Sequence, residues 1–63
     1  MSNSLELMNR PEVLMARARI RIEEAAYNAM DGDTGKRDHN LRIASEYEHQ
    51  AGVQPGAMMR DEI

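Results

Sequence analysis

Between Pro11 and Met30 the chain runs without a glycine or an internal proline, and its apolar positions divide into two groups. At about 100° per residue, Leu14, Met15, Ala18, Ile22, Ala25, Ala26 and Ala29 share one broad face, while Val13, Ala16, Ile20 and Tyr27 share another. The interior is rich in Ala, Arg, Glu, Leu and Met, so local preference agrees with the pattern and predicts a helix over 10–31. Asn9 is the expected cap, with Pro11 suited to the first turn and Glu12 to the positive end of the dipole. A narrower apolar stripe, Asn40, Ile43, Ala44, Tyr47 and Ala51, opposes Asp38, His39, Arg42, Glu46 and His49 and predicts a second helix over 36–51.

The run Asp31, Gly32, Asp33, Thr34, Gly35 places a turn at 32–35, where Gly32 ends the first helix and Asp33 or Thr34 caps the second. Gly52 then stops the second helix shortly before Pro55. In a polar lead at 1–9, Leu5, Leu7 and Met8 are expected to form a short turn or to lie against the helices. The tail at 52–63 shows no period and is expected to be loose, with Met58 and Met59 available as an adaptable anchor for a partner groove.

A loop this short folds the two helices back as an antiparallel hairpin. The alanines at 18, 25, 26 and 29 permit close helix approach, and Tyr47 is large enough to pack over them. One helix covers only one side of another, so the first helix keeps a second apolar face. The expected fold is all-α, a single domain in which an antiparallel helical hairpin self-associates into a four-helix bundle. The three-and-four spacing of Met8, Met15, Ala18, Ile22, Ala25 and Ala29 fits that economy.

Composition strengthens the case for a partner. A core built from 63 residues rarely supplies more than ~3 to 5 kcal/mol without staples. Cys, Trp and Phe are all absent, which excludes disulfides, thiolate metal sites and most large buried rings. A formal charge of -3 gives no overall pull toward nucleic acid or anionic lipid. No apolar run approaches the ~18 residues that cross a bilayer. The start at Met1, Ser2, Asn3, Ser4, Leu5 and Glu6 lacks the features of a secretory signal, so a cytoplasmic location and no membrane partner are expected.

Candidate chemistry is sparse. Glu46 and His49 stand at the Glu-x-x-His spacing used by ferritin-like metal bundles, with Glu23 or Glu24 available on the first helix. Burying that pair would expose Ile43 and Tyr47, so a solvated helix face is the stronger reading and no metal or other cofactor is expected. Asp31, Asp33 and Gly35 echo half a calcium loop, but Lys36 and Arg42 occupy its sixth and twelfth positions. A nucleic-acid-binding regulator would present Arg37, His39, Asn40 and Arg42 at the start of the second helix, supported by Arg10, Arg17, Arg19 and Arg21. Against it, Glu12, Glu23 and Glu24 interleave with the arginines, and Arg19 with Glu23 and Arg21 with Glu24 satisfy each other at helical spacing. His39, His49 and Ser45 exhaust the usual catalytic types, and two short helices enclose no pocket for them.

The sequence therefore points away from an enzyme and toward a small interaction module: an adaptor, regulator, inhibitor or assembly subunit of the kind bacteria and phages encode. Its expected contact residues are Val13, Ala16, Ile20 and Tyr27, flanked by Arg17, Glu23 and Glu24. The expected partner is another protein, itself as a homodimer, or both.

Overall fold

In the computed structural model, which describes residues 9–56, two α-helices form a hairpin. Helix α1 spans Pro11–Met30 and helix α2 spans Thr34–Gln50. The cap of α1 differs from expectation: Arg10, not Asn9, is the last extended residue, and its carbonyl accepts from the N–H groups of Val13 and Leu14 at 3.0 Å. Pro11 explains the shift, since its ring excludes residue 10 from the helical region while Pro11 itself is preset for the first helical position. No side chain caps this end.

The turn is built almost wholly from backbone bonds. The Gly32 N–H reaches the Ala29 carbonyl at 3.1 Å and the Asp33 N–H reaches the Asn28 carbonyl at 2.8 Å, with Gly32 at φ 76°. That pair of bonds closes the last turn of α1 and needs the left-handed conformation that glycine adopts without strain. Asp33 then caps α2, its side chain accepting from the Lys36 N–H at 3.0 Å. Because Asp33 rather than a later residue takes that role, α2 begins at Thr34 and absorbs Gly35 into its first turn, two positions before the expected start at 36.

The contact between the helices is narrow and close. Ala18, Ala25 and Ala44 have 0% exposure, and Leu14 and Ile22 are buried beside them. Leu41 and Tyr47 pack against the cluster of Ala18, Ile22 and Ala44 from its margins. Alanine at these positions permits two helices to approach closely. Across the same interface the Arg21 guanidinium donates to the Asn40 Oδ1 at 3.0 Å, and the Asn40 Nδ2 donates to the Asn28 Oδ1 at 2.7 Å. Each helix thus offers the other polar groups already matched, which removes the cost of burying Asn40.

Glu48 is the unexpected core residue. It is fully buried at the far end of the ladder Asn40, Ala44, Glu48, and its carboxylate accepts from the Gly56 N–H at 3.3 Å. Gly52, at φ 78°, ends α2 with the same two-bond closure as Gly32: its N–H meets the His49 carbonyl at 3.0 Å, and the Val53 N–H meets the Glu48 carbonyl at 2.9 Å. The chain then folds over the end of α2, leaving Val53 half-buried. Gly52, Val53 and Gly56, in the described part of the tail, each bond back to α2. Leu5, Leu7 and Met8 in the lead, and Met58 and Met59 in the tail, lie outside the described residues.

Candidate interaction surface

The far side of α1 is set by the same period that builds its inner side. With Leu14, Ala18, Ile22 and Ala25 fixed against α2, a 3.6-residue turn carries Ala16, Ile20 and Tyr27 about half a revolution away. Ile20 is 53% exposed, Tyr27 67% and Met30 81%, and Ala16 is exposed with them. Val13 and Arg17 are half-buried at the edge, while Glu23 and Glu24 are exposed. The residues assigned to partner contact from the sequence thus share one open face. Met30 extends it toward the turn, a member that the sequence reading did not include.

The face is bordered by charge. Arg21 lies 3.7 Å from Glu24 along one edge, where both side chains are partly exposed, so screening leaves the pair little strength. Arg19 and Glu23, expected to pair at helical spacing, form no ion pair among the described residues. Between this face and α2 runs an open groove lined by Arg17, Ile20, Arg21, Glu24 and Tyr47. It joins the edge of the core to the outer apolar strip, with a ring on one wall and an aliphatic chain on the other.

The residues considered for nucleic acid do not form one reading edge. Asn40 faces α1, 7% exposed, with its amide engaged on both sides, and cannot reach a base without dismantling the interface. The Arg37 Nε donates to the neighbouring Asp38 Oδ1 at 3.0 Å, so its charge is already met locally. His39 and Arg42 are exposed. Glu46 and His49 also lie on the outer side of α2, and among the described residues no three His, Asp or Glu side chains converge as a metal-holding group. Asp33 spends one oxygen on the α2 cap and its other lies 3.9 Å from the Lys36 ammonium, which leaves the turn occupied by helix-ending chemistry. No helix among the described residues is long and apolar enough to cross a membrane. Compared with protein-family models, curated proteins and solved structures, the chain finds no match.

Proposed function

We propose that this chain is a non-catalytic protein–protein interaction module, an adaptor, regulator, inhibitor or assembly subunit, that acts through the outer face of α1. One observation carries the reading: Ile20, Tyr27 and Met30, the large exposed apolar side chains among the described residues, all stand on the side of α1 that α2 does not cover. Scattered exposed apolar residues are ordinary, but a contiguous strip along one helix is the form in which helices meet partners. Val13, Ala16, Ile20 and Tyr27 make the contact, and Arg17, Glu23 and Glu24 at its margins select the partner by charge. The same face lets the hairpin self-associate, which adds burial that a chain of this size needs.

The test compares Ile20→Asp and Tyr27→Asp with the parent chain. Both variants are expected to keep their helical circular dichroism, because both side chains are more than half exposed, and to lose the assembled mass seen by light scattering or the capture of a partner. Loss of helicity in both, with mass unchanged in the parent, would mean that this face belongs to the hairpin's own core and would overturn the proposal.

A further inference from the structure

The outer face of α1 carries a finer pattern than its apolarity. Val13, Ala16, Ile20, Glu23, Tyr27 and Met30 follow one another at alternating intervals of three and four residues, the spacing of a coiled-coil seam. Arg17 and Glu24 lie along one flank of that seam, and Glu12 and Arg19 along the other. A seam of this period is complementary to a helix of the same period, and α2 lies on the opposite side of α1, against Ala18 and Ala25.

Resting on the reading of this face as an interaction surface, we propose that its occupant is a second copy of the chain, with the two α1 helices antiparallel and Ile20 of each facing Glu23 of the other. Size argues for this direction. Ala16 then receives the partner's Tyr27, and Val13 meets the partner's Met30, so a small residue sits opposite a large one along the seam. A parallel pair would instead stack Tyr27 on Tyr27, leave Ala16 facing Ala16 across a void, and press Glu23 against Glu23.

Charge fixes the register. Two helices related by an antiparallel two-fold axis bring like flanks together, so Arg17 of each copy meets Glu24 of the other, twice over by symmetry. On the opposite flank the Glu23 carboxylate comes level with the partner's Arg19. Among the described residues Arg17, Arg19 and Glu23 have no ion pair within their own chain, so these charges are available to the second copy. Sliding the pair by one heptad in either direction sets Arg17 on Arg17 or Glu24 on Glu24. Of these three registers only one sets Arg17 opposite Glu24. In the assembly the four helices lie in a row, α2, α1, α1 and α2, with the two α1 helices inside.

Charge exchange on the full-length chain tests this by sedimentation equilibrium. Arg17→Glu and Glu24→Arg are each expected to weaken self-association about tenfold or more, since each creates two like-charge contacts. The Arg17→Glu, Glu24→Arg double variant restores it to within about threefold of the parent. Mixing the two single variants should also give a heterodimer in preference to either homodimer. A parallel pair predicts the reverse, because Arg17 would then face Glu12 and Glu24 would face Arg19, and the double exchange would bind more weakly than either single one. That result overturns the inference, as does a parent chain that stays monomeric at millimolar concentration. The monomer would leave the broader interaction reading standing if Ile20→Asp still abolished capture of a different protein, so the two failures are distinguishable.

Discussion

The two apolar faces of α1 reverse the usual relation between size and burial. Toward α2 the helix presents Ala18 and Ala25 with no exposed surface, and Leu14 and Ile22 close beside them. Away from it stand Ile20, Tyr27 and Met30, larger on average and mostly in solvent. What separates the faces is how near a second backbone can come, not how apolar each is. Small side chains allow a close crossing, and a close crossing gathers dispersion contacts that a bulky face forfeits. Bulk on the outside does nothing for a lone hairpin, which is the reason the proposed contact is assigned to that side.

The sharpest way to break this comparison is the same substitution on both faces. Ile22→Ala removes buried atoms at a cost of about 2 to 5 kcal/mol, as much as a chain of this size holds in total. The variant is expected to lose most of its helical circular dichroism at room temperature. Ile20→Ala, measured at a dilution where the chain is monomeric, should leave the unfolding free energy within about 0.5 kcal/mol of the parent. Equal losses at the two sites would erase the distinction between inner and outer face.

A smaller effect is expected at the polar part of the inner face. Asn40→Ala strands the Asn28 amide and the Arg21 guanidinium and should cost about 1 to 3 kcal/mol. Each kcal/mol corresponds to roughly 4 to 8 °C in the thermal midpoint of a domain this small. Arg42→Ala, on the exposed side of the same helix, should not move that midpoint. Of the three destabilising changes the one at the turn is expected to cost least: Asp33→Ala removes the α2 cap at about 1 kcal/mol, and amide exchange at Lys36 should accelerate before that of the remaining helix.

Much of this molecule was legible in its residues. The hairpin, the inner face of α1 and the opposed strip at Val13, Ala16, Ile20 and Tyr27 all follow from period and punctuation, which are local properties of the chain. What escaped was set by contacts distant in sequence. Glu48 lies on the Asn40–Ala44 ladder, yet its chemistry argues for solvent until the return of the chain to Gly56 supplies a donor. Of the stripe Asn40, Ile43, Ala44, Tyr47 and Ala51, the small Ala44 and the polar Asn40 are buried, while the bulkier Ile43 and Tyr47 are only half-buried. Asn40 seemed suited to reading a nucleic acid because the amide has that capacity, and only the opposing Arg21 and Asn28 show where it is spent.

The Asn28–Asn40 contact has a consequence for how the sequence can drift. Alanine methyls at a crossing have no direction of their own, so Ala18, Ala25 and Ala44 govern how near the helices can come rather than which polar group meets which. The two amides fix the alignment, because a slide of one turn parts Asn28 from Asn40 and breaks their bond. Enlarging one of these alanines pushes the helices apart, while the amide pair behaves as a key cut for one lock; losing it would turn a single folded species into a population of staggered ones.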